Sequence, residues 1–143
     1  LVVTASGNQT AKLWNTTTGE HVKTLKGHGC LVTSAAFSPD GALVVTASGN
    51  QTAKLWNTTT GEHVKTLKGH GDGVTSAAFS PDGALVVTGS DDHTAKLWST
   101  TTGEHVKTLK GHDDWVTSAA FSPDGALVVT ASEDARLWNT TTG

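Results

Sequence analysis

The chain has 143 residues, the length of one ordinary domain, and its 36% apolar content with 16 glycines is enough material to bury a core. The net charge is −3, and the ten Lys and Arg residues recur at intervals instead of forming a stripe, which argues against a nucleic-acid partner. No run of about twenty apolar residues offers a membrane-spanning helix, and no charged-then-apolar opening marks a signal peptide.

From Leu1 the chain reads LVVTAS, then GNQ as a turn, then TAKLWN, so the two apolar runs make a predicted hairpin. NTTTGE is a second turn and HVKTLK a third strand. A Gly27-His28 loop follows, then LVTSAAF and an FSPDGA turn, after which LVVTAS begins again at Leu43. Trp14, Trp56 and Trp98 are 42 residues apart, as are the Gly-His pairs at Gly27/His28, Gly69/His70 and Gly111/His112 and the turns at Phe37, Phe79 and Phe121. A strict period of this size marks a repeat architecture. ALVVT is almost continuously apolar, as in a strand covered on both faces. HVKTLK carries Lys23/Lys26, Lys65/Lys68 and Lys107/Lys110, the usual protection of an outer edge strand.

A Gly-His pair, an FSPDG turn and a Trp closing a short strand, in phase over four strand-like runs per unit, resemble the WD-repeat β-propeller family. The resemblance covers the whole chain. It departs at the residue after Trp, which is Asn15, Asn57, Ser99 or Asn139 instead of Asp. It implies an all-β fold of four-stranded antiparallel blades, about three and a half per chain: a partial blade at 1–26, blades at 27–68 and 69–110, and a partial blade at 111–143. SAAF, rich in small residues, then suits the crowded innermost strand. The family also implies a buried hydrogen-bonded set of His, a Ser or Thr on the second strand, an acidic turn residue and the Trp. On this chain the second copy offers His28, Thr46 or Ser48, Asn50 and Trp56. The third offers His70, Thr88 or Ser90, Asp92 and Trp98, and is the better match, because Asn50 can offer His28 only a neutral bond. The fourth offers His112 and Trp138. TASEDARLW is two residues shorter than TGSDDHTAKLW, so its turn must differ and the alignment of Asp134 with Asp92 stays open.

The histidines recur one per blade and do not converge as metal ligands must. There is no phosphate-cradling Gly loop and no Ser elbow. Cys30, two residues from His28, reads as a small loop residue and not as a nucleophile. No catalytic, metal or cofactor site is expected. A lone cysteine excludes an intrachain disulfide framework and fits a reducing, cytoplasmic compartment. A start at Leu1 and the lack of Met suggest a piece of something longer or a processed product. Asn8, Asn15, Asn50, Asn57 and Asn139 each begin an Asn-Xaa-Thr triplet, which the repeat has multiplied from turn residues.

The copies differ mainly in two loops. After Gly-His they read Gly29-Cys30-Leu31, Gly71-Asp72-Gly73 and Asp113-Asp114-Trp115. Between the second and third strands they read Gly49-Asn50-Gln51, Asp91-Asp92-His93 and Glu133-Asp134. Seven of the thirteen acidic residues fall here, and Trp115 is the one Trp out of phase with the repeat. Cys30, Leu31, Asp72, Asp91, His93, Asp113, Asp114, Trp115 and Glu133 are therefore the candidate contacts of a protein or peptide partner, basic in character, on a non-enzymatic scaffold. A second reading is a self-assembling repeat fragment, suggested by the identity of Leu1–Lys26 to Leu43–Lys68 at every position. Ligand binding in a central channel is the weakest, since the lining candidates are Ser, Thr and Ala. Propellers need about four to eight blades. Two copies of this chain supply twenty-eight strand-like runs, enough for seven blades, or for eight with incomplete seams, so a homodimeric ring is expected, with completion of a single-chain propeller by further residues as the alternative.

Overall fold

The computed structural model describes residues 1–143 and contains fourteen strands and no helix. The first sheet holds β1 (Val2–Ala5), β2 (Thr10–Trp14) and β3 (His21–Lys26). The second holds β4 (Val32–Phe37), β5 (Leu43–Ser48), β6 (Thr52–Asn57) and β7 (His63–Lys68), and the third β8 (Val74–Phe79), β9 (Leu85–Ser90), β10 (Thr94–Ser99) and β11 (His105–Lys110). The fourth holds β12 (Ser118–Phe121), β13 (Leu127–Ala131) and β14 (Ala135–Asn139). Within each sheet the strands lie in chain order and pair antiparallel, with Val44 opposite Trp56 and Val86 opposite Trp98. The second and third are the four-stranded antiparallel sheets of propeller blades, the first and fourth have three strands each, and the stack does not close into a ring.

β4 packs against β8 and β8 against β12, forming the inner side of the stack. Each sheet then uses its two faces differently, because neighbouring residues of a strand point opposite ways. In β5, Val44 packs back against Ala11, Leu13 and Leu25 of the first sheet, while Val45 packs forward against Val74, Val86 and Trp98 of the third. That is why every residue of the run Val44–Ser48 is fully buried, its two hydroxyl side chains included. A leading face, meeting the preceding sheet, carries Val44 and Trp56; a trailing face, meeting the next, carries Val45, Ala53 and Leu55. In β13 only the leading side is covered: Val128 is buried while Val129 is 40% exposed.

The glycine of each Gly-His pair has a steric reason. Gly27, Gly69 and Gly111 have φ of 151°, 153° and 156°, and an added Cβ would meet the rings of Trp56, Trp98 and Trp138 at 3.1, 3.2 and 3.2 Å. The bare backbone lets the loop lie on the indole and turns the next residue, His, into the blade.

Candidate functional site

In the third sheet Trp98 Nε1–H donates to Thr88 Oγ1 at 2.8 Å, since an indole is a donor only. The Thr88 hydroxyl hydrogen is then free for Nε2 of His70 at 2.7 Å. A neutral His70 therefore carries its proton on Nδ1 and donates it to Oδ2 of Asp92 at 2.8 Å. The carboxylate also accepts the Gly71 amide at 3.0 Å and, on Oδ1, the Thr94 hydroxyl at 2.6 Å. Burial alone would raise Asp92, but the bonds from Thr94, His70 and Gly71 outweigh it and bring the group to about 2. Burial lowers His70, with the Asp92 carboxylate opposing the shift.

The second sheet has the same arrangement with one gap. Trp56 donates to Thr46 at 2.8 Å and Thr46 meets His28 Nε2 at 2.6 Å, but the buried Nδ1 of His28 has no partner. Asn50 stands where Asp92 does and does not close the bond; its Oδ1 accepts the Thr52 hydroxyl at 2.7 Å instead. The expected neutral bond is thus absent, because an amide presents one acceptor oxygen where a carboxylate presents two. Burial first, then the Lys54 charge, lowers His28 to about 4.

The fourth sheet repeats the set, with His112 bonded to Thr130 at 2.6 Å and to Asp134 at 3.0 Å, and Trp138 to Thr130 at 2.8 Å. His70 and Asp92 are separated by as many residues as His112 and Asp134. The two-residue deletion thus removes the counterparts of His93 and Thr94, including the His93 position with φ of 71°. The first sheet keeps only Trp14 donating to Thr4, at 2.8 Å.

Ser48 and Ser90, offered as alternatives to Thr46 and Thr88, do not belong to this set. Ser48 Oγ donates to the Leu31 carbonyl at 2.8 Å and Ser90 Oγ to the Gly73 carbonyl at 2.9 Å. They lie two residues further along the strand, level with the loop and out of reach of the indole. Their work is to tie the Gly-His loop to the turn between second and third strands, which the Asp91 amide does as well by donating to the Gly73 carbonyl at 2.9 Å.

The two variable loops of a sheet are thus bonded to each other at one end. The two uniform turns are bonded at the other end, where Thr58, Thr100 and Thr140 amides donate to the Ala42, Ala84 and Ala126 carbonyls. Neighbouring sheets keep like ends together. Gly49 lies against Gly73 at the variable end, while Pro39 faces Gly83 and Pro81 faces Gly125 at the uniform end.

On the variable end Asp113, Asp114, Glu133 and Asp134 line one polar depression with Ser132 and Arg136. Asp114, Trp115 and Glu133 line a second beside it. Trp115 is 57% exposed and does not pack between sheets. Burial first, then the Asp72 and Asp92 charges, raises Asp91, so these three carboxylates also lie within each other's field. His93 is exposed, as is Leu31; Cys30 is half-buried, with its Sγ against Gly49. No three His, Cys, Asp or Glu side chains converge closely enough to hold a metal ion. The largest cavity lies elsewhere, between Leu1 and the Phe37–Gly41 turn, next to the place where the first sheet has no inner strand.

The WD40 family, described as WD domain, G-beta repeat, matches residues 19–57, 61–99 and 103–139, well over half of the chain. The chain belongs to the WD40 family. Among curated proteins it is similar to a Denticleless protein homolog of Danio rerio, 56% identical over 36 residues, which is 25% of this chain and 6% of that protein. It is also similar to Denticleless protein homolog B of Xenopus laevis, 57% identical over 37 residues, and to the Homo sapiens homolog, 54% over 37, in each case 26% of this chain and 5% of the other. The similarity therefore spans about one WD40 repeat and a small fraction of those proteins' length.

One charge in the last WD40 repeat escaped the sequence reading. Lys54 and Lys96 donate across their sheets to Thr66 and Thr108 at 3.0 and 2.9 Å. Arg136 occupies the corresponding place in a sheet with no outer strand, and its Nε turns to Asp134 Oδ2 at 3.0 Å. Arg136 first of all holds Asp134 below the usual carboxylate range. The signal was present as Arg standing where the other copies have Lys.

Proposed function

We propose that this WD40 chain is a non-enzymatic protein-interaction scaffold that docks a basic or amphipathic protein segment on its acidic variable-loop face. Family membership supports the scaffold role. The observation that carries the finer reading is Trp115, a large exposed aromatic side chain standing among Asp113, Asp114 and Glu133. A rigid aromatic anchor buries much area on contact at small entropic cost, and surrounding carboxylates draw in a cationic segment. Arg136 pairs with the neighbouring Asp134 and with none of these three.

The test is titration of the chain with defined Lys/Arg-rich amphipathic peptides and with acidic counterparts, followed by tryptophan fluorescence. Basic peptides are expected to bind, with affinity falling as salt rises, and Trp115→Ala and Asp114→Lys each to abolish binding without unfolding the chain. Binding that survives both changes, or is lost only on altering the SPDG turns, places the site elsewhere.

A second reading is self-association into a homodimeric ring, the alternative being that residues beyond these complete a single-chain propeller. Two copies would bring eight sheets, within the range of about four to eight blades that closed propellers use, with 1–26 and 111–143 as the incomplete blades at the seams.

A further inference from the structure

Each of the two complete sheets holds a polar chain between its third and outer strands that neither the buried histidine set nor the loop face uses. In the second sheet Lys54 Nζ donates to Thr66 Oγ1 at 3.0 Å, and the same oxygen lies 2.8 Å from Nε2 of His63. In the third sheet Lys96 Nζ donates to Thr108 Oγ1 at 2.9 Å, and that oxygen lies 2.8 Å from Nε2 of His105. Strand register makes both. Lys54 stands opposite Thr66 and Lys96 opposite Thr108, and the bulges before Trp56 and Trp98 bring His63 and His105 opposite those tryptophans. There each imidazole lies edge-on to the indole, with ring centres 5.6 Å apart.

The proton positions follow from the groups. An ammonium only donates, so Thr66 Oγ1 accepts from Lys54. Burial first, and then the Lys54 charge, lowers His63, while the Lys65 carbonyl, bonded to the ring, opposes the shift; the ring is uncharged near neutrality. With Nε2 on Thr66, the N–H that meets the carbonyl is on Nδ1, and Nε2 is a bare acceptor for the Thr66 hydroxyl. The order Lys54, Thr66, His63 is thus a relay leading from an amine to a base. Burial, and then the Lys68 charge, also lowers Lys54, which favours the free amine. Lys54 is half-buried and His63 exposed, so both ends of the relay reach solvent.

We propose that Lys54 and Lys96 are sites of covalent acylation by small acyl phosphates, each served by its own Thr–His relay. This is independent of the loop-face and self-association readings. The neutral amine of Lys54 attacks the acyl carbon, so an N–C bond forms. The bond from that carbon to the phosphate oxygen breaks, and phosphate leaves with the electron pair. The nitrogen gives its surplus proton to Thr66 Oγ1 as Thr66 gives its own to His63 Nε2, and the imidazolium releases that proton to water. The amide left on Lys54 is uncharged. Charge selects the donor: β7 and β11 carry two lysines each and no carboxylate, so an anionic acyl phosphate is drawn to the amine.

The test is incubation of the 143-residue chain with acetyl phosphate at mildly alkaline pH, followed by site-resolved mass spectrometry. Cleavage before aspartates places Lys54 and Lys68 in the peptide 40–71 and Lys96 and Lys110 in 92–112, so the repeated sequences are told apart. Positioned proton transfer contributes about 10²–10⁴-fold in closed sites, and these open relays are expected to acetylate Lys54 and Lys96 about tenfold faster than the exposed Lys68 and Lys110. Thr66→Val should bring Lys54 down to the Lys68 rate and leave Lys96 unchanged in the same molecule. Thr66→Ser, which keeps the hydroxyl, should keep the rate. His63→Gln, which cannot take up the proton, should slow Lys54 as Thr66→Val does. It also replaces Thr66→Val if that chain unfolds, which a fall at Lys96 would reveal. A Lys54 or Lys96 no faster than its exposed neighbour overturns the proposal, as does a Lys54 rate that survives either change in a folded chain.

Discussion

Oδ2 of Asp92 lies 2.8 Å from Nδ1 of His70, whereas in the preceding sheet the same nitrogen of His28 is buried without a partner. A buried donor left unpaired costs about 1–3 kcal/mol. Asn50→Asp would supply the missing acceptor in a half-buried site, and is expected to raise stability by about 0.5–1.5 kcal/mol. Urea unfolding measures it; an unchanged or lowered midpoint counts against the bond. By the same argument, amide exchange in β8–β11 should be slower than in β4–β7.

The histidines also set a pH dependence. His28 is lowered to about 4, and His70, His63 and His105 are lowered as well, burial being the first cause in each. Between that value and the ordinary His value of about 6.5 the unfolded chain binds more protons than the folded one, so stability rises with pH through this window. Lowering the pH from about 7 to about 5 should therefore lower the urea midpoint. Asn50→Asp should reduce that loss, because a carboxylate beside His28 favours its protonated form. Asp92, at about 2, contributes stability that is present above the unfolded value near 4 and is lost only as pH falls below it. A midpoint flat between neutrality and pH 5 would contradict the burial of His28 and His70.

The two polar positions at the end of β9 should separate cleanly. Thr88→Val keeps the shape but strands the Trp98 indole N–H and the His70 ring, and should cost about 2–4 kcal/mol. Ser90→Ala removes a buried hydroxyl that ties the turn to the loop but leaves the indole and the imidazole paired, and should cost about 1 kcal/mol. Equal losses in thermal unfolding would mean that the hydroxyl of Thr88 is not the hub.

Glycine offers a paired comparison. Gly27→Ala drives a methyl into the Trp56 ring from a backbone that suits glycine, and about 1–3 kcal/mol of destabilisation is expected. Gly7→Ala, with nothing within 4 Å of the new methyl, should be neutral or slightly stabilising. Both are read as shifts in melting temperature, and a Gly27→Ala as stable as Gly7→Ala would contradict the close approach of loop and indole.

The sheets were legible in the sequence because the period, the turn residues and the Lys-bearing edge strands all agree, and each reports on local backbone chemistry. The choice between Thr46 and Ser48 was not legible, since both hydroxyls point the same way along β5. Only the three-dimensional level of the indole decides which one it reaches. The open alignment of Asp134 resolved for a similar reason: the loop keeps the His112 separation and drops two residues on the far side of the turn. The exposure of Trp115 could not be read from type alone, because an out-of-phase Trp suits a seam between sheets as well as a free surface.

Pro39 rests on Gly83 and Pro81 on Gly125, and the main strand contacts between sheets likewise join each sheet to the ones beside it. With couplings confined to adjacent units, the energy of the stack is close to a sum of identical links. A duplication that inserts one more 42-residue unit in phase therefore needs no compensating change anywhere else: the newcomer arrives already complementary to what precedes and follows it. Loss of a unit heals in the same way. In such a chain the natural step of evolutionary change is a whole copy, and point substitutions are free to gather in the loops, outside the strand faces that carry most of each link.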